Sequence, residues 1–130
     1  MSMTGPVEIR SDDAPRGTGA YSQAVRAGDF VFISGQGPLD PETLEVRGAT
    51  VAEQTELTLR NVAAIAEAAG GGLRDVVKVS VFLASIDDFP EFNAAYERAF
   101  EEPRPARTTT GAQLRNILVE IDAVLYLSQP

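Results

Sequence analysis

An α/β (α+β) sandwich, with a six-stranded mixed sheet and two helices on one of its faces, is the fold class this 130-residue sequence predicts. Three observations carry the expectation. Two stretches with helical spacing, 50–69 and 88–100, each begin on a capping signal. Between them, Val76 to Leu83 is a nearly continuous apolar β run, as expected of a central strand covered on at least one face. The remaining β-rich runs complete the order β, β, β, α, β, α, β, β, with no repeat or linker to divide the chain, so residues 1–130 read as one domain.

Taken in order, the residues up to about Gly19 mix Pro, Gly, Asp and Ser around Val7-Glu8-Ile9, an edge strand followed by a loop. From Tyr21 to Ser34 two β-rich runs flank Ala27-Gly28-Asp29, whose Gly-Asp pair reads as a hairpin turn. Gly35-Gln36-Gly37-Pro38 breaks the second run, and Leu39 to Gly48 is a turn-rich connection. Thr50-Val51-Ala52-Glu53 is a capping box, with the threonine capping the helix and Glu53 reaching back to it. That helix is expected to reach about Ala69, with Val51, Thr55, Leu59, Val62, Ile65, Ala66 and Ala69 on its inner face and Gly70-Gly71-Gly72 ending it. In the second helix Asp88 is the expected cap, Pro90 lies in the first turn and Glu91 at the box position. Its buried stripe is Phe89, Phe92, Tyr96, Ala99 and Phe100. After a proline loop, Arg107–Thr110 and Leu118–Tyr126 read as two final strands, expected to pair through a turn at Gln113–Asn116. In the apolar run Val77, Val79, Val81 and Leu83 alternate with Lys78, Ser80 and Phe82, so neither side is cleanly polar. The face without helices is therefore expected to be buried in an oligomer.

Composition limits the chemistry. The chain is 44% hydrophobic and 23% charged, the ordinary range for a globular protein. It has no apolar stretch of membrane-spanning length and no signal-peptide layout at its N-terminus, which makes cytoplasm the expected location. With no histidine and no cysteine, Ser-His-Asp and Cys-His catalysis and the usual zinc sites are excluded. A net charge of −8 with scattered arginines argues against nucleic acid as a partner. Any reaction must run on carboxylates, hydroxyls, arginine, backbone groups and water, with no metal.

Arg107 is the most informative single residue. Pro103-Arg104-Pro105-Ala106 stiffens the approach to it and the β-branched run Thr108-Thr109-Thr110 follows, so one guanidinium is delivered at a defined point. A fixed arginine fork suits a planar carboxylate, which points to a receptor for a small carboxylic acid. An ordinary ion pair, with Glu120 for instance, is the competing reading.

Several strings, in order along almost the whole chain, carry a resemblance. They are Gly19-Ala20-Tyr21-Ser22-Gln23-Ala24; Ser34-Gly35-Gln36; Asn61 in a helix closing on Glu67-Ala68-Ala69-Gly70; and Asp75-Val76-Val77-Lys78 leading to Val81-Phe82. Asp88-Phe89 with Asn93 and Tyr96, Pro105-Ala106-Arg107, and Val119-Glu120-Ile121 complete the series. Together they resemble the Rid family, also called the YjgF family. The resemblance implies a homotrimer with a chorismate-mutase-like fold, active sites in the clefts between subunits, and no cofactor. It also implies hydrolytic deamination of reactive 2-imino or enamine acids, such as those released by pyridoxal-phosphate enzymes, to 2-keto acids and ammonia. The family's carboxylate-binding arginine falls on Arg107 and its pocket residues on Tyr21, Ser34, Asn93 and Glu120. Thr109 stands where its best-known members often carry cysteine, Ala20 where proline is frequent, and Leu44 where a turn glycine is frequent.

Each of these residues has an ordinary structural role beside the implied one. Glu120 alternates with apolar Val119 and Ile121 on a strand, so it either orients water in the site or faces solvent on an amphipathic strand. Tyr21 either lays its ring against substrate or packs in the core. Ser34 either bonds substrate or caps a strand end, while Gly35 leaves room for a ligand beside the backbone. Asn93, on the apolar stripe, fixes a pocket wall or touches substrate. Asn61 shares that ambiguity and is left out of the site. Two other functions remain open: a non-catalytic carboxylate-binding or sensing module on the same trimeric fold, and an endoribonuclease, the latter disfavoured by the acidic charge and missing imidazole.

Overall fold

The computed structural model describes residues 5–128, and the outermost residues of the expected domain lie outside that range. Strands β1 (Val7–Ile9), β2 (Ala24–Ala27) and β3 (Phe30–Gln36) precede helix α1 (Val51–Ala68). Strand β4 (Val76–Leu83), helix α2 (Phe89–Ala99), and strands β5 (Ala106–Gly111) and β6 (Val119–Tyr126) follow. The element order is the one expected. The six strands form one mixed sheet in the order β1-β2-β3-β6-β4-β5, antiparallel except for the parallel pair β4 and β5.

Both helices pack on one face, where Val31, Ile33, Val79, Val81, Leu83, Val119, Ile121, Ala123 and Leu125 meet Leu59, Val62, Ile65 and Phe92 in one core. Alternation along β6 explains its place. Val119, Ile121, Ala123 and Leu125 are all buried, and a strand with a fully covered row belongs in the middle of the sheet.

The hairpin turn at Gly28 has φ +60°, the left-handed geometry for which glycine is suited. Thr50 caps α1 as expected: its side chain accepts from the Glu53 amide, and Glu53 returns to the cap backbone. Gly70, φ +98°, follows the last helical turn. Leu44, at the place of a frequent turn glycine, adopts φ +65° with a side chain.

Four expectations need correction. The final two strands do not pair through Gln113–Asn116; β5 instead joins β4 in parallel across α2, and β6 inserts between β3 and β4. A polar Arg-Thr-Thr-Thr run suits a sheet edge, whereas the apolar row of β6 does not. Asp88 is not the side-chain cap of α2: a 3₁₀ turn at Ile86–Asp88 precedes the helix, and Ser85 Oγ accepts from the Asp87 amide there. Glu91 leaves its box role and accepts from the Ala52 amide, capping the first turn of α1 from the neighbouring helix. β3 continues through Gly35 to Gln36, bulging rather than breaking. A second irregularity between Val76 and Lys78 turns both Val76 and Val79 inward and leaves Val77 exposed, so beyond it the run separates into a buried row and a half-buried one. Among the described residues no helix is long and apolar enough to cross a membrane.

Candidate functional site

Arg107 lies on the edge strand β5, in register with buried Val79, so its side chain projects on the helix-covered face. There it meets the stripe of α2. Its Cζ lies 5.5 Å from the ring centroids of both Phe89 and Phe92 and 4.6 Å from that of Tyr96. Among the described residues it makes no ion pair, so the pairing with Glu120 is not found. Arg104, three residues earlier, does the structural work of the loop: its Nε donates to the Phe100 carbonyl and its Nη1 stands 3.5 Å from Glu102. The hydroxyls of Tyr96 and Thr109 are both buried without a hydrogen-bond partner among the described residues. Burial pushes the Tyr96 phenol up, against the opposing pull of Arg107 and Arg104. Asn93, one turn from Phe89 and Tyr96, is half-buried, and its amide makes no hydrogen bond among the described residues.

A second group forms on the other face. Glu120 pairs with Phe82 across β6 and β4, and its side chain points away from the helices. Its carboxyl is raised above the ordinary range, first by burial and then by the neighbouring charge of Asp122. Gly35 lies directly beside it: a Cβ built there would stand 2.6 Å from Glu120 Oε2. The room expected at Gly35 is thus occupied by this carboxylate. Ser34 lies inside β3, two residues before its end, with its hydroxyl donating to the Ser22 carbonyl at 2.7 Å.

Tyr21 is not a core residue and precedes the strand rather than opening it; 52% of it is exposed. Its ring covers Gly17 and Gly19, and its hydroxyl accepts from the Thr18 amide at 3.4 Å. A shallow hollow joins Tyr21 to Gly35 and Gly37.

Two residues that sequence reasoning left out hold this region in shape. Gln23 is buried and accepts from the Ser11 amide while donating toward the Ser11, Ala14 and Pro15 carbonyls. Asn61 donates to the Gly37 and Leu39 carbonyls, pinning the segment that follows Gly35. For Asn61 the signal available was a polar residue on an otherwise apolar helical face, which must be hydrogen-bonded when buried; Gln23, in the bend before β2, gave no such signal.

The candidate residues therefore fall into two groups. Arg107, Thr109 and Asn93 lie on the helix side at the β5 edge; Glu120 and Gly35 meet on the open face, with Ser34 next to Gly35 in β3 and Tyr21 ahead of β2. β5 and β6 are separated by β4, roughly 10 Å at ordinary strand spacing, and Arg107 and Glu120 project from opposite sides of the sheet. One small substrate does not reach both within one chain. Concavities of about 380 Å³, at Leu73 to Pro105, and about 400 Å³, at Glu8 to Gln23, contain neither residue. Among the described residues no cluster of three acidic or other ligating side chains is arranged to hold a metal.

Residues 11–127 match the model of the family described as Endoribonuclease L-PSP. A "RutC family protein" of Pyrococcus horikoshii is 42% identical over 120 residues, covering 91% of this chain and 95% of that one. A 2-iminobutanoate/2-iminopropanoate deaminase of Dermatophagoides farinae is 37% identical over 116 residues, covering 88% and 91%. Among solved structures, E. coli TdcF with bound serine superposes with a TM-score of 0.87 at 35% identity, covering 94% of this chain and 99% of that one.

Proposed function

The chain belongs to the Endoribonuclease L-PSP family, the Rid or YjgF family, and from that premise we propose that it hydrolyses 2-imino acids to 2-keto acids and ammonia. The single observation that carries the reading is Arg107: a half-buried guanidinium with no carboxylate partner among the described residues, open to one from outside the chain. Support comes from the relative that bears the deaminase name and from the neighbour that holds serine, a small carboxylate-bearing molecule.

Arg107 grips the substrate carboxylate through two charge-assisted hydrogen bonds, each worth on the order of 1.5–3 kcal/mol. A protonated imine is already electrophilic, so neither metal nor covalent nucleophile is needed. Glu120, ionised, orients a water and takes one of its protons as the oxygen adds to the imine carbon. Glu120 returns that proton to nitrogen and, ionised again, takes the hydroxyl proton as the carbon–nitrogen bond breaks, ammonia leaves and the carbonyl forms. Tyr21 walls the pocket; Ser34, Asn93 and Thr109 line it.

Because the two groups lie on opposite faces of one chain, the working site is assembled from two neighbouring copies in a homotrimer. The apolar open face supplies the contact that brings them together. The family's descriptive name refers to RNA cleavage, but a net charge of −8 and the lack of histidine give that reading no footing in this chain.

The test couples the protein to an amino-acid oxidase that generates imino acids and follows ammonia release. Acceleration over the spontaneous rate, abolished in Arg107→Ala with unchanged thermal stability, is expected. No acceleration with any of several aliphatic imino acids sinks the reading. Saturable keto-acid binding without turnover reassigns the chain as a carboxylate-binding module.

A further inference from the structure

Half-buried Arg107 has no counter-ion among the described residues and needs some other source of stabilisation, and three aromatic rings surround it. We infer that Phe89, Phe92 and Tyr96 are positioning residues: an aromatic cradle that holds the Arg107 guanidinium in place without occupying its donors. The inference rests on the reading that Arg107 binds the substrate carboxylate.

The geometry separates two ways of holding a cation. A neighbouring carboxylate would fix the guanidinium but consume the in-plane N–H fork that a substrate carboxylate requires. A ring attracts the cation through its π face and forms no hydrogen bond with the fork. Cζ distances of 5.5, 5.5 and 4.6 Å fall within cation–π range for all three rings.

The cradle is itself fixed. Phe92 is 0% and Tyr96 2% exposed, and the rings pack in series, Phe89 on Phe92 at 6.3 Å, Phe92 on Tyr96 at 5.5 Å and Tyr96 on Phe100 at 4.6 Å. Helical spacing delivers them as one unit, and α2 connects the parallel strands β4 and β5, so the strand bearing Arg107 is registered against the helix bearing the rings. The Tyr96 hydroxyl makes no hydrogen bond, which assigns the contribution to the ring rather than to the phenol oxygen.

The test uses the full chain and four variants, Phe89→Leu, Tyr96→Leu, Tyr96→Phe and Arg107→Ala. For each, kcat and KM are measured with imino acid, pyruvate binding by calorimetry, and thermal stability by scanning. Phe89→Leu and Tyr96→Leu are expected to raise KM and the pyruvate Kd on the order of ten-fold, with kcat within about two-fold of the parent. Tyr96→Phe, which keeps the ring, is expected to match the parent in both. Phe89 is only half-buried, so its variant keeps the test intact should Tyr96→Leu fail to fold. Parent-like pyruvate affinity in the Leu variants, with binding lost in Arg107→Ala, overturns the cradle alone. Loss in Tyr96→Phe equal to that in Tyr96→Leu overturns it in favour of the hydroxyl. Full pyruvate binding by Arg107→Ala overturns the underlying role of Arg107 instead.

Discussion

Glu120 shows at the scale of one residue how a candidate catalytic group can work against the fold that carries it. Its carboxyl sits above the ordinary glutamate value of 4.5 because burial and Asp122 both disfavour the charge. A raised folded-state value means the native state holds the proton longer than the unfolded chain does. The associated stability is present below the unfolded value and is lost as pH rises through the folded one, leaving the ionised group unfavourable at neutral pH. Glu120→Gln is therefore expected to raise the melting temperature at pH 7 and to flatten its decline above about pH 4.5, while removing turnover at every pH. A parent-like melting profile in calorimetric scans across that range contradicts the assignment. The rate of the parent should fall on acidification through a value above the ordinary carboxylate range, since only the ionised form accepts the water's proton. Gly35 has its own consequence. A methyl group there meets Glu120 Oε2 at 2.6 Å, so Gly35→Ala should displace the carboxylate and lower kcat, with little change in KM if Arg107 alone holds the substrate. The sequence could not reveal this contact, because it joins residues 85 positions apart.

Elements were legible where their signals are local and opaque where they are not. The Thr50 box, the Gly28 turn and the glycine run after α1 each depend on a few adjacent residues, and each is present. Thr50→Ala is expected to cost about 1 kcal/mol, read as a shift in the denaturant midpoint at constant slope. Strand order depends on partners far along the chain, and pairing β5 with β6 failed for that reason. A usable sign was present: β4, α2 and β5 form a strand–helix–strand unit, for which a parallel crossover is the usual outcome. The capping of α1 by Glu91 from α2 was equally beyond local reading. Buried amides are the other long-range device. Gln54 accepts from the Leu118 amide and donates to the Gly48 carbonyl, tying the entrance of β6 to that of α1. Gln23 binds the 11–15 segment through four contacts, and Gln23→Ala should destabilise by roughly 2–4 kcal/mol through the groups left unpaired. Proteolysis should then begin in residues 11–20, and an unchanged cleavage pattern with parent stability counts against that role.

At the scale of the whole molecule, the single chain leaves an apolar patch uncovered on its open face. On the open face Phe30 and Tyr126 form a ring pair at 5.4 Å, both remain exposed, and Phe32 beside them is 46% exposed. Such a patch across the centre of a sheet is the kind that marks a contact surface, and the proposed two-chain site calls for one for a different reason. If neighbouring copies in a trimer contribute Arg107 and Glu120 to each site, the two inactive variants Arg107→Ala and Glu120→Gln must complement each other. Each mixed interface then has four equally frequent compositions, and one of them places an intact Arg107 opposite an intact Glu120. Co-refolding equal amounts is expected to restore about a quarter of the parental activity, although neither variant alone has any. Phe32→Glu introduced into both partners should abolish the recovery by separating the copies, with circular dichroism unchanged and sedimentation shifted to the monomer. No recovery in verified mixed trimers overturns the shared site and, with it, the joint role of Arg107 and Glu120.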